Sequence, residues 1–248
     1  MPAPPDNFEP SKLALFLDVD GTLLDIEDRP EAVHATDSLI ELLARLSAGL
    51  GGALSLISGR PVADIDRIFA PARFAAAGAH GAELRLHPGD PVSGAQTLLP
   101  ASILEELRAF AGSDPGLLLE EKHSGASLHY RRAPQLEEQC TTLVHRLLPD
   151  IEKNFRLIAG KMVLELAPAD HNKGAAITEM MRREPFMGRR AVFVGDDVTD
   201  EDGFRAVNGM DGITIRVGGN RGSAAEYALP DVAAVRRWLE SIEGRISS

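Results

Sequence analysis

The stretch that constrains this chain most is Leu13-Ala14-Leu15-Phe16-Leu17, followed at once by Asp18-Val19-Asp20-Gly21-Thr22. An uninterrupted apolar run of strand length predicts a strand buried on both faces, as in a parallel sheet, and such strands deliver reactive groups at their carboxyl ends. Alternation along the strand places Asp18 and Asp20 on one side with Val19 pointing away, so the two carboxylates are expected to be neighbours. Like charges that close share a proton or are held by a cation. With no Cys or His beside them, the oxygen ligands favour a hard ion such as Mg2+. Gly21 permits a sharp turn past a ligand, and Thr22 offers a hydroxyl and an amide to an anion.

The 248 residues, 44% of them hydrophobic, suffice for one large domain or for a core with a smaller insert. Twenty-six basic against 37 acidic residues leave a net charge of −11, which disfavours a nucleic-acid or anionic-membrane partner and points to a small-molecule substrate. A single cysteine excludes an intrachain disulfide framework and a Cys-rich metal site. The proline-rich start, Met1 to Pro10, has neither a basic region nor an apolar one, and no run reaches membrane-spanning length. The expectation is a cytoplasmic, monomeric protein with a short disordered leader and no membrane partner.

Leu39, Leu42, Leu43 and Leu46 recur at helical spacing within residues 36–48. A second apolar strand over 53–57 ends in Ser58-Gly59-Arg60, with Pro61 placed to open the next helix. A strand end, a glycine turn and a helix start together form an anion site, because free amides there face the ligand. A third strand over 74–79 runs into Gly78-Ala79-His80-Gly81-Ala82-Glu83, which puts His80, and Glu83 with it, at the site mouth.

From 99 to 169 the pattern changes to helix 101–111, strands 117–123 and 127–132, helix 134–148, and strands 155–159 and 162–167: an inserted α+β module. Cys140 shares a helical apolar face with Leu136, Leu143, Val144 and Leu147 and reads as a core residue. Period-two spacing puts Met162, Leu164 and Leu166 on a face suited to packing under helices, with Lys161, Val163 and Glu165 on the other. Ser127, His129 and Arg131 share a face, and Glu120 and Lys122 share another. A face of mixed charge suits a polyhydroxylated substrate, and equally the solvated side of an antiparallel sheet.

Lys173 precedes a helix predicted over 175–183, at the end where the dipole disfavours an ammonium, and so calls for a nearby anion. The strand over 191–194 discharges into Gly195-Asp196-Asp197-Val198-Thr199-Asp200-Glu201, an acid density that calls for a cation. A capping box of Thr199 with Asp202 would account for part of that cluster but not for Asp196 and Asp197. A strand over 212–217 and an amphipathic helix over 231–242 complete the chain.

Asp18-Val19-Asp20-Gly21-Thr22, Ser58, Lys173 and Gly195-Asp196-Asp197, in that order, resemble the four motifs of the haloacid dehalogenase-like phosphatases. The resemblance implies an α/β fold, a doubly wound and mainly parallel sheet formed by 1–98 and 170–248, with an α+β cap domain over 99–169. It implies Asp18 as nucleophile and Asp20 as acid and base. Mg2+ would be bound by Asp18, the Asp20 carbonyl and Asp196, with Asp197 and Asp200 as supporting acids. Thr22, Ser58, Gly59, Arg60 and Lys173 would hold the phosphoryl group. The segments from Gly78 to Glu83 and Gly195 to Glu201, His129-Tyr130-Arg131, and Lys161 spaced four from Glu165 are similar to the trehalose-6-phosphate phosphatase family. That implies a sugar phosphate gripped by Lys122, Arg131, Lys161 and Glu165, with His80 as a further substrate-binding residue at the site mouth. The chain departs from that family at Leu166-Ala167-Pro168, where Arg-Pro often stands. A phosphatase of sucrose or hexose phosphate and a sugar phosphomutase remain the alternatives, whereas a phosphoaspartyl receiver would have no reason to carry the insert.

Overall fold

The computed structural model describes residues 1–5, 9, 12–26, 33–94, 98–122, 125–219 and 222–246. They form two compact units, Met1–Ser93 with Asn172–Ser248, and Gly94–His171. In chain order the first unit begins with β1 (Leu13–Asp18), α1 (Asp37–Gly49), β2 (Leu54–Ile57), α2 (Val62–Ile68), β3 (Ala75–Gly78), β4 (Glu83–Arg85) and β5 (Ser93–Gly94). The second unit contributes α3 (Ala101–Ala111), β6 (Leu118–Lys122), β7 (Gly125–His129), α4 (Glu137–Leu147), β8 (Phe155–Gly160) and β9 (Val163–Pro168). The first unit then resumes with α5 (Lys173–Met181), β10 (Arg190–Gly195), α6 (Glu201–Asn208), β11 (Ile213–Val217), β12 (Tyr227–Leu229) and α7 (Val232–Ile246).

All six residues of β1 are buried, and the strand offers water nothing before Asp18, so it takes the middle of a sheet covered on both faces. The order is β12-β11-β10-β1-β2-β3-β4-β5, parallel from β12 through β3, with β4 antiparallel to β3. The carboxyl ends of β1, β2 and β10, which carry Asp18, Ser58 and Asp196, therefore lie side by side at one edge of the sheet. Phe16, Phe193, Phe204, Phe186 and Met180 are among the side chains that fill the core.

Three short strands, β4, β5 and β12, and the helix α6 were not anticipated from sequence. Lys173 is itself the first residue of α5, two positions earlier than expected, with the Asn172 side chain capping the helix through the Ala175 amide. Part of the expected leader, the polar stretch around Pro30 and His123 lie outside the described residues. Within the described start, the Pro2 carbonyl accepts from the Ala228 amide, so the leader is tied to β12 rather than detached.

In the second unit the sheet runs β6-β7-β9-β8, antiparallel throughout. Leu128, Leu164 and Leu166 face a core shared with Ile103 and Leu107 of α3 and Cys140, Leu143, Val144 and Leu147 of α4. Two expectations need correction. Met162 is no part of that face: it sits in the turn before β9, exposed and with φ of 64°. The charged residues of β6 and β7 do not occupy opposite faces, because the register sets Glu120 beside Ser127 and Ser127 beside Glu165. Directly paired residues project to the same side of a sheet. Among the described residues no helix is long and apolar enough to cross a membrane.

β4 is held by an ion pair of unusual depth. The Arg85 side chain is 0% exposed and donates to Asp66 of α2 at 2.7 and 2.5 Å and to the Phe74 carbonyl at 3.1 and 2.8 Å. Burial raises the Asp66 carboxyl, but Arg85 and Arg73 outweigh it and hold it below its ordinary value. Asp66→Asn leaves the guanidinium buried without its counter-ion, and we expect a loss of about 3–5 kcal/mol at pH 7 in denaturant unfolding. A depressed carboxylate stabilises above its unfolded pKa of about 3.9 and loses that contribution as pH falls through the lower folded value, so the gap between wild type and Asp66→Asn must close below about pH 4.

Candidate active site

Four segments of the first unit supply the site. β1 ends at Asp18, whose side chain is buried and accepts from the Lys173 ammonium at 2.7 Å. The same ammonium donates to Asp200 at 2.6 Å, with the Lys173 and Asp200 side chains 4% and 0% exposed. Carboxylate oxygens of Asp18, Asp196 and Asp200 lie within 4.8 Å of one another. Asp200 is fully engaged, since its other oxygen accepts from the Asp196 and Asp197 amides at 2.9 and 2.8 Å. In contrast, Asp196 Oδ1 is buried with no hydrogen-bond partner among the described residues, and so is Thr22 Oγ1.

Three carboxylates gather around one ammonium, more acid than that single cation can compensate. Burial pushes the Asp18 carboxyl well above its ordinary range, against the pull of Lys173, and repulsion from Asp200 and Asp196 adds to the rise. Burial and the repulsion of Asp200 and Asp197 push Asp196 up to about 6. Burial alone would strip Lys173 of its proton, but Asp18 and Asp200 outweigh it and keep the ammonium charged. An all-oxygen donor set with more acids than its ammonium can compensate, and with an orphaned carboxylate oxygen, fits a hard divalent cation. Gly21 is essential to this geometry, with φ of 81° and a position where a Cβ would overlap the Asp196 carboxylate.

Asp20 falls beyond β1, and its carboxylate turns to Arg60 instead of joining the three-acid cluster, which corrects the expectation that Asp18 and Asp20 are paired carboxylates. Ser58 is buried at the end of β2, and its hydroxyl accepts from the Arg60 amide at 3.1 Å. The first amide of the helix beyond it is already engaged, because Val62 donates to the Glu83 carboxylate at 2.7 Å. Glu83 thus caps α2 through one carboxylate oxygen. His80 is buried against Gly59, where a Cβ would stand 2.6 Å from the ring Nε2. The capping box forms between Asp197 and Asp200, two residues before the one expected from Thr199 and Asp202, and it gives Asp197 a structural role.

Sequence reasoning missed Arg216. It lies within the apolar strand β11, and its guanidinium donates to the carbonyls of Asp196 and Asp197 and to Glu201 at 3.1 Å, pinning the acidic loop from behind. A lone arginine inside Ile213-Thr214-Ile215-Arg216-Val217 is the signal that could have found it.

The second unit gathers its own polar face. Lys122 donates to Glu165 at 2.8 Å and Ser127 to the same oxygen at 3.0 Å, with the Lys122 and Glu165 side chains 7% and 11% exposed. His129 and Glu120 pair at 3.0 Å on the same face. Burial raises the Glu120 carboxyl, but His129 and Lys122 outweigh it and the net shift is downward. Arg131 and Lys161 lie at its margin, with the Arg131 guanidinium donating to the Lys161 carbonyl at 3.4 Å.

The family model described as Trehalose-phosphatase matches residues 16–233. The chain belongs to the trehalose-phosphatase family. It is 42% identical over 224 residues to a protein of Sinorhizobium fredii that carries the name "Probable trehalose-phosphate phosphatase", covering 90% of this chain and 84% of that one. It is 38% identical over 233 residues to the trehalose-6-phosphate phosphatase of Escherichia coli K12, covering 94% and 87%. A solved trehalose-6-phosphate phosphatase related protein superposes with a TM-score of 0.77 at 26% identity, covering 94% of this chain and 97% of that one. The fold is the haloacid dehalogenase-like one, and membership of this family makes the protein a phosphomonoester hydrolase.

Two outcomes follow from the site. Because burial and its acidic neighbours raise Asp196 to about 6, protons compete with a divalent cation for the site, so calorimetric divalent-cation affinity should fall as the pH drops below about 6. Gly21→Ala displaces the Asp196 carboxylate, and with it we expect a loss of divalent-cation binding and about 10²-fold or more in turnover, while thermal unfolding remains cooperative.

Proposed function

We propose that the protein is a Mg2+-dependent phosphatase that hydrolyses trehalose 6-phosphate to trehalose and phosphate through an aspartyl phosphate on Asp18. The observation that carries the chemistry is the cluster of Asp18, Asp196 and Asp200 around the single buried ammonium of Lys173. The substrate assignment is supported by family membership and by the names of the relatives.

Asp18 attacks phosphorus, and the bond from phosphorus to the sugar oxygen breaks as Asp20 gives that oxygen a proton. Asp20, now a carboxylate, takes a proton from the water that attacks the phosphoryl-aspartate, which releases phosphate and restores both residues. Lys173 stays charged throughout and faces the nucleophile, so it offsets the repulsion between Asp18 and an incoming phosphate. Ser58 and Thr22 offer hydroxyls, and Gly59 an amide, to the phosphoryl oxygens. Asp18, the Asp20 carbonyl and Asp196 would hold the cation, with Asp200 fixing the loop behind them and Asp197 its cap. When bound, Mg2+ supplies positive charge that screens the carboxylate from the phosphate.

On this reading the sugar hydroxyls are gripped by Lys122, Arg131, Lys161 and Glu165, supported by the charged face that Lys122, Ser127 and Glu165 build. His80 packs under the Ser58 loop. A cytoplasmic location accords with the free, buried Cys140 and with the absence of a membrane-crossing helix among the described residues.

The test is phosphate release with Mg2+ from trehalose 6-phosphate, sucrose 6-phosphate and glucose 6-phosphate. Trehalose 6-phosphate should be preferred, and Asp18→Asn should lose on the order of 10⁴-fold or more in kcat together with acid-quenched protein-bound phosphate. Glu165→Gln should raise KM for the sugar phosphate and leave hydrolysis of p-nitrophenyl phosphate less affected. A flat substrate profile would remove the sugar assignment, isomer formation without phosphate release would identify a mutase, and full activity in Asp18→Asn would remove the nucleophile.

A further inference from the structure

The Arg60 guanidinium grips Asp20 at two points, Nε to Oδ2 at 2.6 Å and Nη2 to Oδ1 at 2.7 Å. A planar fork against both oxygens fixes the position and the rotation of a carboxylate, which a single point charge cannot do. Asp20 needs such a hold. It lies past the end of β1, where a bridge to Leu24 holds its backbone but its side chain is 31% exposed and not fixed by core packing.

Arg60 is itself restrained. Its amide donates to the Ser58 hydroxyl at 3.1 Å, and its carbonyl accepts from the Ala79 amide at 2.8 Å. The turn that supplies Ala79 carries three successive left-handed residues, Ala79, His80 and Gly81, with φ of 47°, 54° and 98°. Two of these are not glycine, a conformation that persists only where the surroundings over-determine it. The surroundings here are the Ser58 carbonyl, which accepts from the His80 amide at 3.0 Å, and Gly59, against which the imidazole packs. The strained turn, the Ser58 loop and the Arg60 fork form one connected support that ends on Asp20.

We infer that Arg60 is a positioning residue for the proton-transfer group, not one of the residues that hold the phosphoryl oxygens. This rests on the reading of Asp20 as the acid that protonates the departing oxygen. Arg60 keeps that carboxyl where it reaches the bridging oxygen as the bond to phosphorus breaks, and where it later meets the water that attacks Asp18-phosphate.

The distinguishing measurement is leaving-group dependence. A sugar alkoxide is a poor leaving group that needs the proton, whereas p-nitrophenolate leaves without it. In Asp20→Asn the ratio of kcat/KM on the sugar phosphate to kcat/KM on p-nitrophenyl phosphate, which excludes the hydrolysis of phosphoryl-aspartate common to both, should fall about 10²-fold or more. In Arg60→Met the ratio should fall about 10-fold in the same direction, and in Arg60→Lys, which keeps the charge without the fork, by less. The double variant Asp20→Asn/Arg60→Met should show a ratio no lower than Asp20→Asn alone, because both act through one group. Equal losses on both substrates in Arg60→Met and Arg60→Lys, or a raised KM with an unchanged ratio, would overturn the inference and return Arg60 to phosphate binding. An unchanged ratio in Asp20→Asn would instead remove Asp20 as the proton donor, an outcome seen without any Arg60 variant.

Discussion

The burial of Lys173 between Asp18 and Asp200 is the interaction on which the rest of the site depends. An ammonium taken out of water costs several kcal/mol unless its partners return that energy, and two carboxylates within hydrogen-bond reach do so. The arrangement ties three distant parts of the chain together, β1, the start of α5 and the loop after β10. It also creates the imbalance that the site uses: acids close enough to satisfy one cation are too many for it. The fold thereby holds a charge deficit in reserve, and a bound cation completes an arrangement that is already set.

Around this centre the supports are layered. Asp200 turns its second oxygen to two backbone amides, and Arg216 holds the carbonyls on the far side of the same loop. Gly195 and Gly21 leave room because a Cβ at either would overlap an aspartate carboxylate. Beyond the turn that carries His80, Glu83 caps α2 and Arg85 locks β4 through Asp66, so the chain is fixed where it leaves that turn. Each of these groups constrains a backbone segment rather than a ligand, which is why the reactive side chains can be few.

Much of this was legible in the residues. Apolar runs ending in polar groups marked β1, β2 and β10, since a strand buried on both faces has no alternation to obscure it. The strands β4 and β12, three residues each, were too short to show a period. The helix α6 was hidden because its first turn, Glu201 and Asp202, continues the acidic loop. Periodicity within single strands of the second unit could not say which face meets which on the neighbour. Register decides that, and it brought Glu120, Lys122, Ser127, His129 and Glu165 together. Asp200 and Arg60 were legible as residue types, but their division of labour depends on where each hydrogen bond goes.

The order of the strands has a consequence for how the chain matures. β1 finds one neighbour, β2, within its own opening stretch, but its other neighbour, β10, follows only after the whole of Gly94–His171. Non-local pairing of this kind is slow because chain entropy must be lost before any contact repays it. During synthesis the most hydrophobic strand therefore waits with one edge open until the inserted unit has left the ribosome. An insert that collapses quickly on its own apolar face shortens the loop to be closed, and so serves assembly of the sheet.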